Sequence, residues 1–379
     1  MPRRARSSDR CSGYCQHLTC LSSTSVSHQL LDLLQFGVSS TISCHISNAS
    51  YSFWSPLAAC MRGLWRRRTD AYLAAIAKSS DVLRGKAVLD VGAGTGVLAI
   101  ACAKAGARVV YAVEAGEMAT HAATIVDANG FSDVVKVMHA KVEEVQLPEK
   151  VDVIVSEWMG IFLVYEAMLD SVLIARDRWL KHDGHMLPRR ARLWLCPLRD
   201  TRLWEERVGF WTNVHGLDMS CLQPIAAAEL CAQPRIEEVA AEDMAGTHAC
   251  IADFDLGSMR LDEARRISSR FECTSHVRSP ILGFVSYFDV EIAPGAWLST
   301  SPEQELTHWQ QVSFLWDSPL QIGQGDVLRG SVDIRQQEEN KRCLDVLLAC
   351  RHYGADGESS TIAKSGSCRN RSYKLDTIT

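Results

Sequence analysis

The chain has 379 residues, of which 47% are hydrophobic and 22% are charged, so it is long and apolar enough for two or three domains with buried cores. Its net charge of −5 argues against direct binding of nucleic acid and is compatible with a basic substrate. Fourteen cysteines scattered through apolar segments predict reduced thiols in an intracellular protein. No apolar run approaches the roughly 18 residues of a membrane-spanning helix, so no membrane partner is expected.

The first 65 residues differ from the rest of the chain, because they are rich in serine and cysteine and show no sustained periodicity. We expect this segment, 1–65, to be atypical and largely disordered. Its several arginines and few acids resemble an organellar transit peptide, and a sequence wrongly joined from its gene would look equally arbitrary. It contains four residues of metal-binding type, Cys11, Cys15, His17 and Cys20. Their spacing matches no strong zinc pattern, so we assign no metal.

From 66 to 187, short apolar runs alternate with helical stretches. The runs lie at 87–91, 109–113 and 151–155, and the helical stretches include 97–105 and 118–129. Apolar strands that alternate with helices are typical of a doubly wound parallel sheet with helices on both faces. This half is therefore predicted to be an α/β domain.

After Pro188 the pattern changes to strands without intervening helices. Predicted strands lie at 192–196, 283–292, 310–316, 327–334 and 343–350. They predict an antiparallel, β-barrel-like domain over 188–354. A more helical insert at about 201–250 carries Trp204, Phe210 and Trp211, and the polar tail, 355–379, is expected to fray.

The strongest local motif is the glycine-rich turn after the first strand, Val88-Leu89-Asp90-Val91-Gly92-Ala93-Gly94-Thr95-Gly96. Glycines let the backbone approach a ligand closely, and the helix that follows offers free backbone donors. A nicotinamide dinucleotide site would want another glycine at position 97, which is valine. The spacing therefore favours S-adenosyl-L-methionine over NAD, with Asp90, Gly92, Gly94 and Gly96 as cofactor-binding residues.

Two acidic residues at strand ends support a nucleoside site. Glu114 ends the second strand, where a carboxylate can accept both hydrogen bonds of a ribose diol. Glu143 follows the third strand, near the expected position of an adenine amino group. Either glutamate alone could be a solvated loop acid, but next to the glycine turn we interpret both as cofactor-binding.

The chemistry is predicted to lie after the fourth strand, where Glu157 and Glu166 bracket an aromatic and apolar hairpin. Burying two carboxylates is costly unless a cation compensates them. A guanidinium presents five donors in a planar fork that matches carboxylates. The pair is thus suited to binding arginine.

These segments resemble a known family. Ser-Glu-Trp-Met-Gly at 156–160, Tyr-Glu-Ala-Met-Leu at 165–169 and Thr-His-Trp at 307–309 are similar to the double-glutamate and Thr-His-Trp loops of the protein arginine N-methyltransferases that make asymmetric dimethylarginine. The resemblance covers about residues 66–350. Further similar segments are Arg-Thr-Asp-Ala-Tyr at 68–72, Gly-Phe-Trp at 209–211, Asp-Met-Ser-Cys-Leu at 218–222 and Leu-Ser-Thr-Ser-Pro at 298–302.

The resemblance implies transfer of the sulfonium methyl of S-adenosylmethionine to peptidyl arginine. It implies that Glu157 and Glu166 hold the guanidinium, that His308 completes the catalytic set with Trp309 as a wall of the slot, and that Met168 restricts the methylated product. It further implies that the insert is a dimerisation arm in a homodimer. Histones and RNA-binding proteins are the expected substrates, in nucleus, cytoplasm or both.

The chain departs from the family before Arg68-Thr69, which matches the family's Arg-Thr and places Arg68 near the carboxylate of the methyl donor. Trp65 stands where the family has Asp, Arg67 stands where it has Val, and no His-Glu pair precedes them. A catalytically silent relative that keeps the fold therefore stays an alternative. A small-molecule methyltransferase would explain the glycine turn but not the paired glutamates.

Overall fold

Short apolar runs in the first half of the chain form the parallel sheet that their pattern predicts. The computed structural model describes residues 56–355 and 369–375, so the cysteine and histidine cluster near the N-terminus lies outside the described residues. The elements of this half are α1 (Pro56–Lys78), α2 (Ser80–Leu83), β1 (Ala87–Val91), α3 (Val97–Lys104), β2 (Val109–Glu114), α4 (Met118–Ala128), β3 (Val135–His139), β4 (Val151–Val155), α5 (Met168–Trp179) and β5 (Leu180–Leu187). The strands are parallel, in the order β3-β2-β1-β4-β5.

The middle strand of this sheet, β1, is buried along its whole length. A strand covered on both faces is expected to be a continuous apolar run, and β1 reads Ala-Val-Leu-Asp-Val. The strand order reverses at β1, because β2 lies on one side of it and β4 on the other. Ligands of open α/β sheets bind in the crevice at the carboxyl ends of the strands at such a reversal.

The second half of the chain is antiparallel. Its elements are β6 (Arg190–Leu198), α6 (Thr201–Arg207), α7 (Gln223–Leu230), β7 (Arg235–Glu237), β8 (Ala249–Asp255), α8 (Leu261–Arg265), β9 (Arg266–Thr274), β10 (Ser279–Ala293), β11 (Ala296–Ser299), β12 (Gln311–Ile322), β13 (Val327–Gln336), β14 (Leu344–Tyr353) and β15 (Arg369–Leu375), with short 3₁₀ turns at Gly209–Thr212, Ser220–Leu222 and Ala241–Asp243. One sheet has the order β7-β12-β10-β6-β8 with β11 beside β10, and the other has the order β15-β14-β13-β9. The predicted α/β domain followed by an antiparallel β domain is confirmed.

At both ends of these domains the described residues have more regular structure than the sequence predicts, and the predicted disorder of 1–55 lies outside the described residues. Helix α1 begins at Pro56, so residues 56–65 are helical although their composition predicts disorder. Proline suits the first turn of a helix, where its missing N–H has no partner to lose. At 23 residues α1 is long, yet among the described residues no helix combines the length and apolarity needed to span a bilayer.

The second difference concerns the polar tail, in which β15 forms and pairs with β14 along its whole length. Tyr373 and Leu375 are buried. The Tyr373 hydroxyl donates a hydrogen bond to the carbonyl of Leu315 at 2.7 Å. Buried side chains at alternating positions hold this strand in place. The segment is short and mostly polar, so this alternation is too weak to predict a strand from the sequence.

A buried arginine fastens the two halves together. Arg176 of α5 is 9% exposed, and its guanidinium donates to the carbonyls of Leu256 and Met259 in the second half at 2.7 Å each. Asp170, also on α5, pairs with Arg265 at 2.8 Å. Because a buried guanidinium needs its partners, these contacts fix the antiparallel half against both ends of α5, the first of which is close to the glutamate hairpin.

Candidate active site

The glycine turn adopts the backbone that its sequence predicts. Gly92, Gly94 and Gly96 have φ values of 72°, 54° and 80°, which glycine tolerates and other residues rarely adopt. A Cβ on Gly92 would lie 2.6 Å from the terminal methyl of Met168. The backbone N–H of Gly92 donates to the Val113 carbonyl at 2.9 Å, so the turn is fixed to the end of β2.

Glu114 is held by this turn on both of its oxygens. Its Oε2 accepts from the backbone N–H of Gly94 at 2.9 Å, and its Oε1 accepts from that of Gly116 at 2.8 Å. A carboxylate oxygen has more than one acceptor site, so each still can accept from a ligand hydroxyl. The arrangement fits the predicted contact with a ribose diol.

Asp90 lies beneath the turn and is 1% exposed. Neither of its oxygens meets a donor among the described residues at good hydrogen-bond geometry. Burial, with a contribution from Glu114, raises the pKa of Asp90 to about 7, and the Ala99 backbone offsets this only in part. A buried carboxylate without good partners is unusual in a folded protein and marks a place for a ligand donor. Glu114 thus fits the ribose of the predicted cofactor, and the cofactor-binding role of Asp90 stays a prediction.

Asp90→Asn is expected to stabilise the ligand-free protein at pH 8. Between pH 4 and 7 the folded state retains a proton on Asp90 that the unfolded state has lost, so the stability falls as pH rises through this range. The change from the ordinary value to about 7 corresponds to about 4 kcal/mol, which asparagine removes. Thermal unfolding should therefore show a Tm several degrees above the unmodified protein at pH 8 and little difference near pH 4. Equal differences at both pH values would contradict this cause.

The glutamate hairpin has a constrained backbone. Phe162, Leu163, Glu166 and Ala167 all have positive φ, between 56° and 76°. A Cβ on Gly160 would lie 2.0 Å from the Tyr165 carbonyl oxygen, so only glycine fits there. Positive φ in non-glycine residues costs energy and persists where the surrounding structure enforces it, most often at functional sites. The hairpin thus holds the two glutamates in one geometry.

Glu157 is paired in this structure with Arg68, whose Nη1 donates to its Oε2 at 2.7 Å. Burial raises the pKa of Glu157 to about 7, and Glu166 adds to this effect, although Arg68 opposes it. Glu166 is exposed. A cation that entered between them would favour the ionised form of Glu157. The expected contact of Arg68 with the carboxylate of the methyl donor stays a prediction.

Two buried aromatic residues support the hairpin from below. The Tyr72 hydroxyl donates to the carbonyl of Ser156 at 3.0 Å, and the Trp309 indole donates to the carbonyl of Met159 at 2.8 Å. Trp309 is 3% exposed and supports the hairpin, and its predicted role as a wall of the slot stays a prediction. Tyr72 belongs to the Arg-Thr-Asp-Ala-Tyr segment, but only the folded chain reveals its contact with the hairpin.

His308 lies beside Trp309, with 4.0 Å between their ring centroids. Burial, together with the nearby Arg68, lowers the pKa of His308 to about 4. The imidazole is therefore neutral at physiological pH and adds no positive charge near the glutamates. In the catalytic role predicted for it, His308 would act as a neutral imidazole.

One cleft of about 750 Å³ brings the predicted groups together. Its lining includes Gly92, Glu114, Glu143, Glu157, Glu166, Met168, Ser171 and Arg342. Glu143 is oriented by the Ser171 hydroxyl at 2.5 Å. The remaining predicted residues lie outside the lining: Arg68, Asp90, Gly94, Gly96, His308 and Trp309. Of these, Arg68, Asp90 and Gly94 act on the cleft through Glu157, the turn and Glu114, respectively.

Two family models match the two halves. Residues 68–171 match that of ribosomal protein L11 methyltransferase, and residues 189–355 match the arginine methyltransferase oligomerization subdomain. The chain is 40% identical over 313 residues to a probable protein arginine N-methyltransferase 6.1 of Oryza sativa subsp. indica, covering 75% of this chain and 83% of the relative. It is 38% identical over 331 residues to a probable protein arginine N-methyltransferase 6 of Arabidopsis thaliana, covering 78% of this chain and 75% of that protein.

Among solved structures, the Trypanosoma brucei PRMT1 enzyme-prozyme heterotetrameric complex with AdoHcy is similar at a TM-score of 0.73 and 31% identity, covering 86% of this chain and 100% of that chain. Fold and site together define a class I methyltransferase. The chain belongs to the protein arginine N-methyltransferase family. It is an S-adenosylmethionine-dependent protein arginine methyltransferase, which confirms the predicted family, enzyme class and cofactor.

Proposed function

We propose that this chain makes mono- and asymmetric dimethylarginine on Arg/Gly-rich proteins such as histones and RNA-binding proteins. The observation that carries the proposal is that Glu114, Glu143, Glu157 and Glu166 line the same cleft. We propose that the first two face a nucleoside site and the last two an arginine site. The net charge of −5 favours association with such basic substrates.

The chain's own residues perform positional and electrostatic catalysis. Glu157 and Glu166 orient the guanidinium, concentrate electron density on one terminal nitrogen and offset the positive charge that moves during transfer. Glu114 and Glu143, with the turn above Asp90, would hold S-adenosylmethionine, which would supply the methyl group. Met168 lies over Gly92 and lines the same cleft, where its bulk limits the space beside the methylated nitrogen.

The test is transfer of labelled methyl groups from S-adenosylmethionine to an Arg-Gly-rich peptide and to a histone tail, with mass spectrometry of the product. We expect one and then two methyl groups on arginine, and fragment ions that place both groups on one nitrogen. A matched peptide with lysine in place of arginine should receive none. Cofactor binding without transfer to any arginine peptide would instead favour the silent relative, and symmetric product would contradict the proposed product.

The chain carries an oligomerisation subdomain, and we propose that it forms a homodimer through the arm at about 201–250. Phe210, Leu217 and Ile225 of the arm are 50%, 60% and 65% exposed. A second cleft of about 720 Å³ between α1, α3 and α4 is lined by apolar residues such as Leu73 and Ile125 together with Arg84 and Lys104. Apolar side chains left exposed on one element and a partly apolar groove on another favour a reciprocal contact between two copies.

Sedimentation of the full chain and of Phe210→Glu tests the homodimer. We expect a dimer for the unmodified chain and a monomer for the variant, because a charge would be buried at the contact. A monomeric unmodified chain at micromolar concentration would contradict the proposed homodimer.

We further propose that the protein acts in the nucleus, the cytoplasm or both, which imaging of the tagged protein tests.

A further inference from the structure

Arg342 reaches the active-site cleft from the opposite half of the chain. It lies in the loop between β13 and β14, and it lines the cleft with Glu157 and Glu166. Its carbonyl accepts a hydrogen bond from the backbone N–H of Glu166 at 2.9 Å. The loop therefore contacts the glutamate hairpin directly, at one of the residues that hold the substrate arginine.

The loop is also fixed internally. The backbone N–H of Arg342 donates to the side chain of Asn340 at 3.1 Å, and the N–H of Gln337 donates to the Cys343 carbonyl at 3.0 Å. Side-chain to backbone bonds of this kind hold turns in one conformation. The Cα of Arg342 is thus placed beside the arginine slot independently of any ligand.

The guanidinium of Arg342, in contrast, is exposed and has no ion pair or hydrogen bond to any of the described residues. Five carboxylates line the same cleft: Glu114, Glu143, Glu144, Glu157 and Glu166. Lys141 is the other cationic residue in that lining. An arginine with five unused donors beside a binding slot is suited to a planar anionic group of the ligand.

We propose that Arg342 tunes the charge preference for the residues that flank the target arginine: within a cleft lined by five carboxylates, its guanidinium makes an acidic neighbour more acceptable and a basic neighbour less so than the other charges of the cleft would. This inference rests on the proposed function. Neighbouring residues of an extended peptide lie about 3.8 Å apart. The residues beside a bound arginine therefore pass within reach of the long side chain of Arg342, which lies next to Glu166. The same charge attracts an acidic neighbour and repels a basic one, which gives selectivity from both directions.

The experiment compares kcat/KM for three peptides that share one Arg-Gly core and differ in flanking Asp, Gly or Lys. For an exposed charge pair we expect the Asp-to-Lys ratio to fall about three- to fivefold in Arg342→Ala. The ratio should fall further in Arg342→Glu and be largely retained in Arg342→Lys. Lys341→Ala, which removes the same charge from the same loop outside the cleft lining, should leave the ratio unchanged.

Other outcomes separate the possible errors. An unchanged ratio in Arg342→Ala and Arg342→Glu, with active enzyme, would overturn the proposal and leave the proposed function intact. An equal gain for all three peptides in Arg342→Ala would also overturn it, because Arg342 would then compete for the slot. Absence of transfer by the unmodified protein would mean that the proposed function fails. The ratio is then measured as peptide affinity by fluorescence anisotropy in the presence of S-adenosylhomocysteine, with the same expectations.

Discussion

Glu157→Gln is expected to lower kcat by about a thousandfold while S-adenosylhomocysteine still binds. The substitution keeps the shape of the side chain and removes the charge that faces the substrate guanidinium. Loss of one preorganised electrostatic contact costs about 10² to 10³ in rate, and the partly buried position of Glu157, whose side chain is 22% exposed, places the effect at the upper end. Steady-state kinetics and calorimetric titration measure the two quantities separately.

The pH profile gives this prediction a second readout. Because burial raises the pKa of Glu157 to about 7 in the free protein, its ionised fraction grows as pH rises through 7. The value of kcat/KM should rise over the same range, and this limb should be absent in the variant. Glu305→Gln is the matched control, since Glu305 is 87% exposed and pairs with Arg67 at 3.6 Å. Full activity in Glu157→Gln would contradict the mechanism in which both glutamates hold the substrate guanidinium.

Glu114→Ala is expected to weaken binding of S-adenosylhomocysteine by at least about a hundredfold. Glu114 contributes acceptors for the ligand and also holds the backbone at Gly94 and Gly116. Hydrogen bonds to a charged group are each worth about 1.5–3 kcal/mol, so loss of the two bonds from the ribose hydroxyls weakens binding by more than about a hundredfold. Calorimetric titration of the full chain measures the affinity.

Two variants separate ligand contact from support of the turn. Glu114→Gln keeps one acceptor for a backbone donor and should fall between the alanine variant and the unmodified protein. Glu117→Ala removes an exposed charge from the same loop and should bind normally. Equal affinity in Glu114→Ala and the unmodified chain would contradict the assignment of the ribose site. No binding by the unmodified chain would mean that its atypical N-terminal segment prevents retention of the cofactor.

Features with a local cause were predictable from the sequence. The buried strand β1 and the glycines of the turn depend on neighbouring residues, because apolar periodicity and the positive φ of glycine are properties of short segments. The positions of Glu114 and Glu143 follow from strand ends in a parallel sheet, where carboxyl ends meet at one edge.

Features that depend on distant segments were not predictable. The pairing of Arg68 with Glu157 joins positions 89 residues apart, and the bond from Trp309 to Met159 joins positions 150 apart. No spacing rule relates such positions, so the contact of Trp309 with the hairpin was not foreseen. Arg342 gave no signal at all, because its approach to Glu166 depends on how the two halves pack.

The buried guanidinium of Arg176 has an evolutionary consequence. Two of its acceptors, the carbonyls of Leu256 and Met259, belong to the half that follows it in the chain, and a third, the carboxylate of Asp177, is its neighbour on α5. A cofactor-binding half grafted onto a different partner would keep the ion pair with Asp177 and lose both carbonyls, which leaves donors of a buried cation unsatisfied. The two halves are therefore not freely interchangeable modules, and a recombination event near residue 188 would favour replacement of Arg176.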